Sequence, residues 1–242
     1  MTWRPDVPVE IHRLLRHGEI SRCEHIPWGS NYTFCVSLNL DGQELLGVYK
    51  PRRGERPLWD FPDGTLYRRE YAAFLASQAL AWPFVPATVI RQGPHGVGSV
   101  QIFVEADPPR SFREIQESGD LDLARVAAFD FVTNNADRKA GHLLRGEHGK
   151  LWGIDHGLCF NVEPKVRTVL LHYCGTPVPA PVLHELRSFR GNRDRVEGLA
   201  TALRPVITCE EFDVFLQRVD ALIQHGIYPT PTGYRSVPWP PF

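Results

Sequence analysis

At 242 residues and 43% hydrophobic content, the chain is long enough for one large domain or two lobes around a shared cleft, with a core of its own. Its formal net charge of −1, with acids and bases interspersed, excludes the concentrated positive field of a general nucleic-acid or anionic-membrane surface. No stretch approaches the roughly 20 apolar residues of a membrane span, and "MTWRPDVPVE" lacks the apolar centre of a signal peptide, so a cytoplasmic protein is expected.

In chain order, "WGSN" (28–31) is a short polar loop feeding the first predicted strand. "YTFCVSLNL" then alternates Phe34, Val36, Leu38 and Leu40, Asp41-Gly42 supplies a turn, and "LLGVYK" returns, which predicts a hairpin. A long connection, "PRRGERPLWDFPDG", leads to "TLYRREYAAFLASQALAW", read as a helix opened by Thr65 and ended by Pro83. "PATVI" and "GSVQIFVE" read as two more strands. "DLDLARVAAFDFVTNN" is helical in pattern and delivers the chain to "NNADRKAGHLL"; "HLLR", "GEHGK" and "LWGI" then form strand, turn and strand, ending at "DHG". The remainder is helical with proline breaks, and its last helix has Thr208 and Glu211 in capping-box register and Gly226 as its stop. The proline-rich end "YPTPTGYRSVPWPPF" suits an extended segment laid on the surface. The five cysteines form no C-x-x-C pair and read as reduced packing residues. A β-rich residue range 1–106 followed by a helical range 107–242 implies an α+β, two-lobed, protein-kinase-like fold with a cleft between the lobes.

Phosphoryl transfer needs cations to neutralise phosphate oxygens, a metal holder and an acid oxygen to orient the attacking hydroxyl. Lys50 closes a strand and Glu70 lies in the helix that follows, as an ion pair placed to meet nucleotide phosphates would be. Asp137, Lys139 two positions on and His142 five positions on share the spacing of a protein-kinase catalytic loop, and Asp155 follows a hairpin, where a principal metal carboxylate is expected. Taken singly, each has an ordinary explanation: a solvated strand-end lysine, a surface helix acid, turn aspartates, an interior histidine. One cleft accounts for all six together.

These residues carry a family resemblance. "ADR" with a ligand position five residues after its Asp, a hairpin and "IDHGLCF" resemble the catalytic and metal-binding loops of the phosphatidylinositol 3-/4-kinase-like group. "SVQIFVE" is similar to the adenine-pocket segment of type II phosphatidylinositol 4-kinases. "WGSN", "VYKPRRGERPLWDFPDGTLYRRE" and "NNADRKAGH" occurring together resemble an actinobacterial branch of that group. The resemblance implies that Gly29, Ser30 and Asn31 cover the phosphates and that Lys50 contacts them, anchored by Glu70. It places adenine against the backbone of Gln101, Ile102, Phe103 and Val104. It makes Asp137 the orienting acid, Lys139 the stabiliser of the transferred phosphoryl group, and His142 and Asp155 the metal ligands. The implied cofactors are ATP and Mg²⁺ or Mn²⁺. His142 stands where the group usually has Asn, and Lys139 where the lipid kinases tend to have His; an imidazole suits Mn²⁺ better than Mg²⁺.

The expected activity is transfer of a phosphoryl group from ATP to a hydroxyl of a lipid, protein or small-molecule acceptor. Two rivals are a nucleotide-binding pseudokinase, suggested by His142 and the glycine-poor loop, and a nucleotidyl transferase that binds the nucleotide reversed. Either the kinase or the pseudokinase can have a protein partner. His172 and Cys174 in "LLHYCG", and Trp28 and Trp152, are read as packing residues.

Overall fold

Alternating apolar side chains in the first half of the chain build one antiparallel sheet. The computed structural model describes residues 5–27, 31–106, 112–117, 119–231 and 236–241. Helix α1 (Val9–His17) leads into β1 (Glu19–Ile26), β2 (Thr33–Leu40) and β3 (Gln43–Pro51), and α2 (Leu66–Ala79) separates these from β4 (Thr88–Gly93) and β5 (Gly96–Ile102). The order across the sheet is β1-β2-β3-β5-β4, with every pairing antiparallel.

Asp41 and Gly42 both take positive φ, 53° and 80°, as a tight two-residue hairpin requires. That turn sets Phe34 opposite Tyr49 and Leu38 opposite Leu45. Val36, Leu38 and Tyr49 thereby share a small buried core with Leu15, Val89 and Val100. Neither α1 nor β1 is among the elements the periodicity predicts. Helix α1 does carry an apolar stripe, Ile11 with Leu14 and Leu15, but it opens with no side-chain cap, and the edge strand buries no residue fully.

The second half contains α3 (Phe112–Glu117), α4 (Leu121–Val132), the β6 (Leu143–Arg145) and β7 (Leu151–Gly153) hairpin, α5 (Ala180–Gly191), α6 (Arg193–Leu203) and α7 (Cys209–His225). Helix α2 belongs to both halves. Ala72, Ala73, Phe74, Leu75, Ala76 and Ala79 are all buried, as a helix apolar around its circumference must be, and it packs on β4, β5 and α6. It stops at Ala79, short of Pro83. Thr65 occupies its N-cap, but the hydroxyl donates to the Pro62 carbonyl at 2.7 Å. The Glu55 carboxylate, from the preceding loop, accepts the free amides of Leu66 and Tyr67 at 3.1 and 2.8 Å instead.

The capping box of α7 forms in both directions: the Glu211 amide donates to Thr208 Oγ1 at 3.1 Å and the Thr208 amide to Glu211 Oε2 at 2.8 Å. Gly226 ends the helix at φ 64°. The other oxygen of Glu211 accepts from Arg69 at 2.5 Å, and Arg69 also donates to the Cys159 carbonyl at 2.7 Å, so a buried ion pair fastens α2 to the helical half. Cys23, Cys35, Cys159, Cys174 and Cys209 are all free thiols. No helix among the described residues is long and apolar enough to cross a membrane.

Candidate active site

Lys50 leaves the end of β3 and Glu70 rises from α2, so the sheet and its one long helix bring an ammonium and a carboxylate together. Lys50 Nζ donates to Glu70 Oε1 and, at 2.8 Å, to Asp155 Oδ1. Burial disfavours the ammonium, but Asp155 and Glu70 outweigh it and hold Lys50 protonated beyond the ordinary lysine range. Burial raises the Glu70 carboxyl, with Lys50 opposing the rise and Asp155 adding to it. Asp155 is half exposed; against the loss of solvent around its carboxylate, Lys50 and His142 hold it well below the usual carboxylate range.

Asp155 follows β7 and takes φ 59°, which turns its carboxylate back toward the catalytic loop. His142 closes the short 3₁₀ turn of Ala140–His142, and its Nε2 lies 3.3 Å from Asp155 Oδ2. Burial drops the His142 pKa to about 4, against the pull of Asp155, so the ring is neutral at pH 7. Its Nδ1 accepts the Lys139 amide at 3.4 Å, which places the single ring proton on Nε2, facing Asp155. Nε2 can hold a cation with Asp155 only in the other tautomer, which gives up the Lys139 contact. These are two donors of suitable chemistry, and no group of three metal-capable side chains exists among the described residues. A divalent ion held here would take its remaining ligands from phosphate oxygens and water, the usual pattern for Mg²⁺.

Asp137 and Lys139 lie on the same loop, with Lys139 Nζ 3.5 Å from Asp137 Oδ2. Burial, reinforced by Asp155 and opposed by Lys139, raises the Asp137 pKa to about 6. The folded value exceeds that of an unfolded Asp, so ionising Asp137 destabilises the fold: the penalty is absent below the unfolded value of about 3.9 and complete above the folded one. Asp137→Asn, which cannot ionise, is expected to raise Tm by about 3–5 °C at pH 7.5. At pH 4 the two proteins should melt together, and thermal scans across that range check both limbs.

A cleft of about 380 Å³ contains Asn31, Lys50, Glu70, Asp137 and Asp155 in one wall system. The structure thus gathers Lys50, Glu70, Asp137, Lys139, His142 and Asp155. The covering loop is only partly described: Gly29 and Ser30, with Trp28, lie outside the described residues. Asn31 lines the cleft, but its Oδ1 accepts the Arg56 amide at 2.8 Å, so the side chain braces the β3–α2 connection. Gln101 to Val104 do not line this cleft. The Gln101 side chain donates to Thr88 Oγ1 at 2.9 Å, and the amides of Ile102 and Phe103 donate to the Ala87 and Leu46 carbonyls, both at 2.9 Å. Those two amides belong to the sheet.

What holds the loop is a network that motif spacing passes over. Arg138 is fully buried and pairs with Asp130 of α4 at 2.9 Å; Asn135 Nδ2 donates to the same carboxylate at 2.9 Å. Arg138 also donates to the Ile154 carbonyl at 3.1 Å and contacts His156 Nε2 at 2.7 Å, which ties the Asp137 loop to the Asp155 turn. Burial, with Arg138 beside it, keeps His156 uncharged. Asn134, at φ 56°, donates to the Asn161 and Glu163 carbonyls and accepts the Lys165 amide, fastening the segment after Asp155. The C-terminal stretch 236–241 lies against the same loop, its Pro241 carbonyl accepting the Ala140 amide at 2.9 Å. The available signal was Asp130 itself, a charge inside the apolar run "VAAFDFV", where only a buried partner makes it tolerable.

His172 and Cys174 are not gathered with these residues: His172 Nδ1 contacts Gln116 Nε2 at 2.9 Å, and Cys174 packs against the main core. Trp152 is half-buried, with the Lys150 ammonium 3.7 Å from its ring centroid.

No family model matches the chain. Among solved structures it is similar to hydra Fam20 with sugar, at a TM-score of 0.64 and 17% identity, covering 91% of this chain and 89% of that one. It is similar to the Golgi casein kinase with Mn/ADP bound, at 0.56 and 13%, covering 94% and 77%. It is also similar to the Helicobacter pylori proinflammatory kinase CtkA, at 0.54 and 12%, covering 88% and 94%. At such identities the likeness is one of fold: an antiparallel-sheet lobe and a helical lobe, arranged as in these kinases. In sequence, the chain is 39% identical to Protein Rv2133c of Mycobacterium tuberculosis over an alignment of 278 positions, gaps included, with 100% of this chain and 98% of that protein covered. The chain belongs to the family of Rv2133c, and that family has a two-lobed kinase-like fold.

Proposed function

We propose that this protein is a kinase that moves the γ-phosphoryl group of ATP to a hydroxyl of an acceptor, with a divalent metal. The observation that carries the reading is the Lys50 ammonium shared between Glu70 and Asp155 inside a cleft that Asp137 also lines. In this reading Glu70 and the sheet hold Lys50 where it neutralises phosphate oxygens. Asp137 orients the acceptor hydroxyl and takes its proton as the bond from the γ-phosphorus to the ADP oxygen breaks and the acceptor oxygen bonds to phosphorus. A carboxyl with a pKa of about 6 is ionised at neutral pH yet is a stronger base than an ordinary aspartate. Lys139 faces the same carboxylate and is placed to meet charge on the transferred group. His142 and Asp155 would hold the metal, and Mn²⁺ or Mg²⁺ would supply neutralisation of the phosphate oxygens. The Mn/ADP complex of the Golgi casein kinase supports a nucleotide and a divalent ion as the cofactors, and the loop order supports the phosphatidylinositol 3-/4-kinase-like form of the reading. The two lobes would meet near residue 106, with adenine against the linker from Val104 onward.

The test uses ATP labelled at either the α or the γ position, with Mg²⁺ or Mn²⁺, and wild-type protein beside Asp137→Asn. Transfer or release of the γ label alone, lost in the variant, is the expected result. Transfer of the α label would make the protein a nucleotidyl transferase, and nucleotide-dependent thermal stabilisation with neither label moved would make it a binding module.

A further inference from the structure

Beside the cleft lies a larger cavity of about 560 Å³ that no step above uses. It opens between the β3–α2 connection and the β4–β5 hairpin, and Arg52, Arg53 and Arg56 all line it. All three are exposed, and none is in a salt bridge among the described residues. Two acids line the same cavity: Glu55, which accepts the first amides of α2 and has Arg52 beside it, and Asp63.

Gly64 takes φ +71°, and the Arg52 guanidinium lies over the position its missing side chain would take. Gly54 is packed against Tyr32, with a would-be Cβ 2.7 Å from Tyr32 Cβ, which fixes the arginine turn against the sheet. Three guanidiniums against two carboxylates leave the cavity lining with an excess of positive charge, and each guanidinium offers a planar fork of donors. A phosphomonoester answers that demand with nearly two negative charges and three accepting oxygens at neutral pH, which a single carboxylate does not. The cavity has room for a metabolite-sized ligand, and Pro57, Leu58 and Val97 wall its carbon frame.

We propose that this cavity binds the phosphate of a phosphomonoester ligand, and that the acceptor of the reaction is itself phosphorylated. Glu55, Arg56, Pro57, Leu58 and Leu66 line both this cavity and the Asp137 cleft, so a ligand seated by its phosphate can extend a hydroxyl from one into the other. The acceptor role rests on the kinase reading; the binding does not.

Calorimetric titration with glycerol phosphate, inorganic phosphate and uncharged glycerol tests the site on wild type, Arg52→Ala/Arg53→Ala and Lys50→Met. Co-sedimentation with phosphatidylcholine vesicles, with and without phosphatidylinositol phosphate, distinguishes a lipid headgroup from a free metabolite. The expected result is binding of the phosphate probes but not glycerol, weakened at least about tenfold in the double arginine variant and kept in Lys50→Met. Stabilisation by ADP should survive in the arginine variant. Undiminished phosphate binding in the arginine variant overturns the proposal, as does loss in Lys50→Met alone, which would put the probe in the nucleotide cleft, or no binding to wild type in either format. If phosphate binding behaves as expected while neither ADP stabilisation nor label transfer is seen, the kinase reading fails and the phosphate site stands.

Discussion

Asp155→Asn is expected to lower nucleotide-dependent phosphoryl transfer by about 10³-fold, corresponding to several kcal/mol of charge stabilisation, while leaving the protein folded. Asparagine is the informative substitution because it tolerates the left-handed backbone that Asp155 adopts at φ 59°, whereas alanine would add strain to the loss of charge. The carboxylate faces Lys50 at 2.8 Å and His142 at 3.3 Å, so its removal leaves the ammonium with Glu70 alone and leaves the imidazole without the anion that favours its charged form. A second readout follows from the same geometry. Asp155 is one cause of the raised Asp137 pKa, so the residual activity of Asp155→Asn should have its acid limb moved below the wild-type midpoint of about 6. Wild-type activity should rise as pH passes through that midpoint, because Asp137 must be ionised to take a proton. A variant with full turnover, or one whose acid limb does not move, would remove Asp155 from the site.

Short-range chemistry makes much of this arrangement legible in the sequence. The Asp41-Gly42 turn and its flanking alternation define the β2–β3 hairpin, and Lys50 is carried to its place by that register. The Thr208/Glu211 box and Gly226 mark α7 because both ends of that helix are satisfied by their own neighbours. Where the partner is remote, the signal disappears. Glu55 caps α2 across a loop, Thr65 turns elsewhere, and nothing local in the sequence distinguishes the two. Strand β1 holds its place by pairing with β2 along an edge, with Glu19, Arg22 and Glu24 among its eight residues and none fully buried, so it lacks the pattern of a buried strand. The spacing Asp137, Lys139, His142 picks out the side chains that face the cleft, but Arg138 between them is turned inward to Asp130, and motif spacing does not say which residues turn away. The linker is the clearest difference: "QIFVE" reads as one run, yet the strand ends at Ile102 and two of its amides complete the sheet.

The inward-facing residue carries the second large effect. Arg138→Ala is expected to destabilise the protein by about 3–5 kcal/mol, because it strands a buried carboxylate with no cation beside it. For a chain of this length that is a fall in Tm of roughly 10 °C, measurable by calorimetry. Asp130 keeps only the Asn135 amide, while the carbonyl of Ile154 and the imidazole of His156 lose their donor as well. The pair of changes Asp130→Leu and Arg138→Met separates these contributions. It removes the stranded charge and restores apolar volume, so the double variant should be more stable than Arg138→Ala alone, though still below wild type because the Ile154 carbonyl stays unpaired. Activity should not follow stability back. With the guanidinium gone, the turn that carries Asp155 loses its side-chain clamp to the loop that carries Asp137 and relies on the Ile154–His142 and Ala136–Leu158 backbone bonds, and a mismatch of about 1 Å between them is enough to cost ~100-fold in turnover. A double variant that regains the stability yet stays inactive would identify Arg138 as a positioning residue, acting on Asp137 and Asp155 through the backbone it clamps; recovery of both together would make it a packing residue only.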